Sequence, residues 1–118
     1  MCAWKGVYCS HGDVIELYLP NCHLTGVIPN ATLGKLRKLK IVSLWHNKLV
    51  GEIPKDLRMM RSLRGMFIQQ NLFHGSLSFG HHLINLNISI NCFNGTLAPL
   101  TNLDLLKTLE VRSNKFEE

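Results

Sequence analysis

The stretch WHNKLVGEIP, residues 45–54, decides the fold, because the chain spells it again with variations. PNCHLTGVIP occupies 20–29, QQNLFHGSLS 69–78 and SINCFNGTLA 89–98. Aligned on the asparagine of the first stretch, the recurring position is Cys22, Asn47, Asn71, Asn91 and Asn114, with separations of 25, 24, 20 and 23 residues by subtraction of those numbers. Self-similarity at such a period marks a solenoid, in which each unit packs only on its neighbours.

The unit reads LxxLxLxxNxLxGxIP, a period and pattern in the leucine-rich range. Leu39, Val42, Leu44, Asn47, Leu49, Gly51, Ile53 and Pro54 fill it in the second unit. Val14, Leu17 and Leu19 begin the first, Leu63, Met66 and Ile68 the third, Leu83, Leu86 and Ile88 the fourth, and Leu106, Leu109 and Val111 the last, which stops after Asn114 and Phe116. Alternation of apolar residues puts one face of a short strand inward and the other outward, and such strands stack in parallel. The asparagine then turns the chain out of the strand. Its buried amide bonds backbone groups of adjoining coils that would otherwise lack partners, so Asn47, Asn71, Asn91 and Asn114 are expected to form a ladder. Cys22, at the first rung, lacks an amide and is read as a small buried residue, whereas Cys92, one past its rung, is read as pointing outward.

Gly26, Gly51, Gly75 and Gly95 fall where the chain bends tightly, and glycine accepts the positive φ that such a bend needs. After each exit comes a linking segment such as KDLRMMRSL (55–63), with Leu57, Met60 and Leu63 at helical or 3₁₀ spacing on the convex side. The fourth unit is shorter, with SFGHHLINL (78–86) as its link, and is expected to lack that helix.

With 46% hydrophobic residues the chain has enough apolar material for a core. Its apolar runs are only a few residues long, so no membrane insertion by this segment is expected. The net charge of +5 gathers in KLRKLK (35–40) and RMMRSLR (58–64). These runs suit a solvated outer face or an acidic partner, and without interleaved aromatics they do not read as a nucleic-acid site. Cys2 and Cys9 stand at a spacing that a short loop can close as a disulfide. Three acceptor sequons, NAT at Asn30, NIS at Asn87 and NGT at Asn94, fit the same oxidising, secretory compartment. No signal peptide precedes Cys2; either a leader has been removed or the chain is a fragment.

Leu49, Gly51, Ile53 and Pro54, spelling LxGxIP, together with Cys2, Trp4, Gly6, Val7 and Cys9, spelling CxWxGVxC, resemble plant-type leucine-rich repeats and the end of their extracellular N-terminal cap. The resemblance covers nearly the whole chain. It implies an α/β repeat fold, a right-handed leucine-rich-repeat superhelix with a parallel concave β-sheet and short helical or 3₁₀ convex segments. Residues 1–13 would end the cap, and 14–118 would be repeats, the last incomplete. It further implies that Cys2 pairs with Cys9, that Trp4 packs over the first coil, and that the chain lies on the extracellular side of the plasma membrane or in the cell wall. The family's amphipathic cap helix, a C-terminal cap, a membrane helix and a kinase are not spelled in this sequence.

The outward residues of the stacked strands form the natural binding surface of a solenoid. One column is Tyr18, Ser43, Phe67, Asn87 and Glu110, and the next is Pro20, Trp45, Gln69, Ser89 and Arg112, with His46 on the outer edge. Tyr18, Trp45 and Phe67 are predicted to face solvent and, as aromatics on a rigid sheet, to anchor a peptide or protein ligand or a co-receptor ectodomain. The other reading is that they shield one another. Tyr18, Ser43, Trp45, His46, Phe67 and Gln69 are therefore the candidate ligand-binding residues. A glycan on Asn87 would confine a ligand to the first three strands or the lateral face, whereas Asn30 and Asn94 leave the concavity free.

No catalytic constellation, cofactor motif or metal site is read from the sequence. His81 and His82 have no carboxylate or cysteine at ligand spacing, and the 8 acidic residues are scattered. The functions that remain are the recognition module of a receptor-like kinase or receptor-like protein, a secreted repeat protein acting as an enzyme inhibitor or structural interaction protein, and a gene fragment without a partner.

Overall fold

The computed structural model describes residues 2–117; positions 1 and 118 of the expected cap and repeat spans lie outside the described residues. Strands β1 (Val7–Ser10) and β2 (Asp13–Tyr18) form an antiparallel hairpin. Parallel to β2, one per coil, run β4 (Ile41–Ser43), β6 (Gly65–Phe67), β8 (Asn85–Asn87) and β10 (Thr108–Glu110), giving a six-stranded sheet in the order β1-β2-β4-β6-β8-β10. The middle residue of each parallel strand points inward: Val42, Met66 and Leu86 align in register and are fully buried. Leu44, Ile68 and Ile88, two residues on, are buried as well. This shared aliphatic spine is the core, and the fold is the leucine-rich-repeat solenoid expected from the period.

A second sheet lies on the flank. Strands β3 (Thr25–Val27), β5 (Lys48–Glu52) and β7 (Leu72–His74) pair in parallel, and β9 (Asn94–Gly95) pairs with β11 (Lys115–Phe116) beyond them. The sequence pattern conceals this sheet, because its LxG segment reads as a turn. In three dimensions each such segment is extended beside its counterpart one coil away, and its glycine sits at φ between +82° and +99°.

The convex links are short. A 3₁₀ turn (Leu33–Lys35), helix α1 (Lys55–Arg58) and a second 3₁₀ turn (Ala98–Asn102) serve three of them. The link between β7 and β8 has no helix, as its length predicts. Phe79 fills that space, 2% exposed. The Arg58 guanidinium ties the link down, donating from Nε to the Ile53 carbonyl (3.0 Å) and from Nη1 to the Ser78 carbonyl (2.6 Å). Among the described residues, no helix is long and apolar enough to cross a membrane.

Two expectations at the N-terminal end are corrected. Trp4 does not pack over the first coil and is 67% exposed; Val7 and Cys9 of β1 cover it instead. Cys22 is exposed rather than buried. Its rung faces no earlier coil, so it has no backbone groups to bridge and no neighbour to cover it. The hairpin still approaches the first coil closely at Gly6. The Gly6 carbonyl accepts from the Tyr18 N–H (2.7 Å), and a Cβ on Gly6, whose φ is +86°, would strike the Tyr18 carbonyl oxygen. The structure joins Cys2 to Cys9 by a disulfide that closes the loop before β1 ends.

Candidate functional site

The concave surface is positioned by the asparagine rungs. Asn47 Oδ1 accepts from the Cys22 and Leu24 N–H groups (3.0 Å each), while its Nδ2 donates to the Leu19 and Leu44 carbonyls (2.9 Å each). Asn71 accepts from Leu49 N–H and donates to Leu44 and Ile68; Asn91 accepts from Phe73 and donates to Ile68 and Ile88; Asn114 accepts from Phe93 and donates to Ile88 and Val111. Every rung thus locks its own turn to the coil before it. The residue preceding each rung, Asn21, His46, Gln70, Ile90 or Ser113, pays for the turn with a left-handed backbone, φ +49° to +60°.

Strand register brings the first candidate column together. Tyr18 pairs with Ser43, Ser43 with Phe67, Phe67 with Asn87, and Asn87 with Glu110. Backbone hydrogen bonds carry the stacking on, His46 N–H to Gln69 O (3.0 Å) and Gln70 N–H to Ser89 O (3.1 Å), so the second column follows beside it.

The aromatics differ in how they meet solvent. Trp45 is 42% exposed, and its ring centre lies 5.9 Å from that of exposed His46. Tyr18 and Phe67, predicted to face solvent, are half-buried. The Phe67 ring lies over Gly65, where a side chain would crowd it. Tyr18 meets Tyr8 of β1 edge-on, with centroids 5.7 Å apart and planes at 83°, and donates from its hydroxyl to Glu16 Oε1 (2.8 Å). Burial, then the hydrogen bond to Glu16 and its charge, with Tyr8 adding a smaller part, push the Tyr18 pKa up to about 12. Tyr18 is therefore a neutral donor at physiological pH. Tyr8 itself, 56% exposed, extends the aromatic row by one strand. Its alternation with Val7 and Cys9 in VYCS is the signal that could have placed it there.

Gln69 carries a buried side-chain oxygen without a hydrogen-bond partner. A buried acceptor left so loses its hydration without replacement, and a ligand N–H reaching this column would satisfy it. Asn87 is half-buried, and its Oδ1 accepts from both the N–H (3.1 Å) and the hydroxyl (2.7 Å) of Ser89, the third residue of its own sequon. Asn30 and Asn94 are exposed. His46 also borders a separate cleft of about 210 Å³ with Asn21, His23 and Lys48. Among the described residues, no three His, Cys, Asp or Glu side chains converge as a metal ion requires. The arrangement offers stacking, hydrogen bonding and shape, the chemistry of recognition.

Comparison with known proteins agrees with this geometry. The leucine-rich-repeat family model matches residues 38–60. A probable inactive receptor kinase of Arabidopsis thaliana is 36% identical over 94 residues, which cover 75% of this chain and 15% of that protein. The leucine-rich-repeat ectodomain of the receptor kinase SOBIR1 from Arabidopsis thaliana superposes with a TM-score of 0.85 at 29% identity, covering 99% of this chain and 71% of that one. The Arabidopsis receptor kinase HAESA, in complex with the peptide hormone IDA and the co-receptor SERK1, superposes with a TM-score of 0.71 at 25% identity, covering 98% of this chain and 25% of that one. The chain is thus a leucine-rich-repeat protein. Within that class its repeats are of the plant type, similar to those of the receptor-kinase ectodomains above. It spans 15% and 10% of the length of the first two curated relatives it matches.

Proposed function

We propose that this chain is an extracellular recognition module of a plant receptor-like kinase or receptor-like protein, binding a peptide or protein partner, a co-receptor ectodomain included, on its concave and lateral face. The observation that carries the reading is the set of aromatic side chains on neighbouring strands of the concave sheet: Tyr8 packed edge-on against Tyr18, Phe67 two strands further along the Tyr18 column, and Trp45 in the next column with the unsatisfied Gln69 oxygen. Exposed aromatics on a rigid support are the residues that most often anchor interfaces. HAESA, a relative in fold, is described with a peptide hormone and a co-receptor, which supports the same class of partner. Tyr18, Ser43, Trp45, His46, Phe67 and Gln69 are the proposed contact residues. Residues 1–13 act as the end of the cap and 14–118 as repeats. Glycans on Asn30 and Asn94 leave the row free, and one on Asn87 confines the ligand to the first three strands or the flank.

The test is to select binders from a displayed random-peptide library on the folded chain and measure them against Trp45→Ala and Phe67→Ala. Each substitution is expected to weaken concave-face binders by at least about tenfold, the effect of losing an interface anchor. Unchanged affinity for both variants would remove the site assignment.

A further inference from the structure

The edge by which the chain enters each concave strand carries much of its positive charge. Backbone hydrogen bonds stack Ile15, Lys40, Arg64, Ile84 and Lys107 on one another: Lys40 N–H to Ile15 O (2.7 Å), Arg64 N–H to Lys40 O (2.8 Å), Ile84 N–H to Arg64 O (2.7 Å) and Lys107 N–H to Ile84 O (2.7 Å). Neighbouring strands of a sheet lie about 4.8 Å apart, so this is a regular row of rungs, three of the five cationic. Arg37, Lys38 and Arg61, just ahead of the strands, deepen it. Six of the 13 Lys and Arg residues stand on this edge, against the acidic residues Asp13, Glu16 and Asp104. The edge by which the chain leaves the strands is balanced, Lys48 and Lys115 with Glu52 and Glu117.

The row is also shaped. An open cleft of about 370 Å³ is lined by His11, Asp13, Lys38, Lys40 and Ser62, among others, and a second of about 400 Å³ shares Asp13 and Lys38 with it and reaches Lys35 and Arg37. Arg64 is held in place by donating from Nη1 to the Arg61 carbonyl (2.8 Å) and, more weakly, to the Leu63 carbonyl (3.3 Å). Lys38, Lys40 and Lys107 are exposed.

We propose that this edge binds a linear carboxylated polysaccharide, its acid groups lying along the cationic rungs. A repeating polyanion suits a repeating row of fixed cations, because each added rung contributes another favourable contact without a new recognition element. The linings favour a sugar over the other polyanions. The Ser62 hydroxyl, which donates to the Leu39 carbonyl (2.7 Å), and the Ser10 hydroxyl, bonded to His11 Nδ1 (3.0 Å), stand among the cations, and their oxygens keep lone pairs that can accept from ring hydroxyls. The two uncharged rungs, half-buried Ile15 and Ile84, offer apolar faces to the C–H side of a ring. Neither cleft is lined by Phe, Tyr or Trp, and the His11 ring of the first is bonded to the Ser10 hydroxyl (3.0 Å), whereas single-stranded nucleic acid needs a series of aromatic faces to stack on. An acidic peptide would need an enclosed anchor pocket for much of its affinity, and both clefts are open to solvent. The surface is separate from the aromatic row, so it stands or falls independently of the concave ligand.

The experiment titrates the folded chain with oligogalacturonate, with a neutral glucose oligomer of equal length, and with a poly-glutamate peptide of equal charge. Binding to oligogalacturonate alone is expected, weakening by at least about tenfold between low and high salt as the charges are screened. Lys40→Glu with Lys107→Glu should lower affinity by at least about tenfold through charge reversal, with an unchanged thermal melt, since both side chains are solvent-exposed. Lys38→Gln should give a smaller loss, and Trp45→Ala none. The proposal is overturned by no binding, by equal binding of the neutral oligomer, by undiminished affinity in the double variant, or by poly-glutamate binding as tightly, which would make an acidic peptide the occupant.

Discussion

Leu86 and Leu109 hold the same position in successive units, yet Leu86 is 1% exposed and Leu109 41%. Their coils share the pattern residues, Leu83, Asn91 and Phe93 against Leu106, Asn114 and Phe116; what differs is that Leu86 has a coil on either side and Leu109 on one only. At the other end, Leu17 also begins the stack but is 6% exposed, because the β1–β2 hairpin lies over it and the disulfide closes the loop behind that hairpin. In a solenoid the burial of a residue is thus supplied by the neighbouring coil rather than by its own unit. An end is stable only to the extent that something else covers it.

The comparison is broken most directly by truncating the two leucines. Leu86→Ala should cost about 2–5 kcal/mol, the range for buried leucine truncations, whereas Leu109→Ala should cost less than about 1 kcal/mol, as for a surface position. Urea denaturation measures both, and equal losses would show that the last coil is covered after all. Next come the rungs. Asn71→Ala leaves the Leu49 N–H and the Leu44 and Ile68 carbonyls without their partner and should cost about 2–3 kcal/mol. Cys22→Ala, at the rung with no coil before it, should lie within about 0.5 kcal/mol of zero.

Gly6→Ala tests the seal itself. With its Cβ driven into the Tyr18 carbonyl at a positive φ, it should destabilise by about 1–3 kcal/mol and be seen as a lowered melting temperature. Ile90→Asn runs in the opposite direction. A β-branched residue at φ +55° is strained, and asparagine tolerates that region, so a gain of about 1 kcal/mol is expected. Ser113→Asn, at the equivalent position of the open end, should change little. The smallest effect is at high pH. The fold raises the Tyr18 pKa from 10.0 to about 12, favouring the neutral phenol. Its contribution is therefore complete below pH 10 and lost as the pH climbs through 12. A phenolate absorbance titration should show a tyrosine step near 12 that Glu16→Gln moves down.

Much of this architecture was legible because a short period constrains each residue several times over. The spacing of Leu39, Val42 and Leu44 marked the inward face, Asn47 the rung and Gly51 the bend, and each recurs one coil later with the same role. The first column followed from counting outward residues, and the strand register pairs Tyr18 with Ser43 and Ser43 with Phe67. Other features depended on contacts that no single unit specifies. The flanking sheet forms because LxG segments extend beside one another. Phe79 and Arg58 hold the helix-free link through partners in different coils. Trp4 and Cys22 were misread because both were assigned by the role of their position, and at the first coil that role has nothing to act on.

The sequence by itself determined the period, the inward and outward faces, and the residue types at each rung and bend, since these are local properties of alternation, amide chemistry and backbone freedom. The tertiary structure alone decided which equivalent leucines are covered, that Tyr18 leans on Tyr8 and Glu16, and that Lys40, Arg64 and Lys107 stand in one row. Burial and charge proximity arise between residues a full coil apart, and only the stacking brings them together.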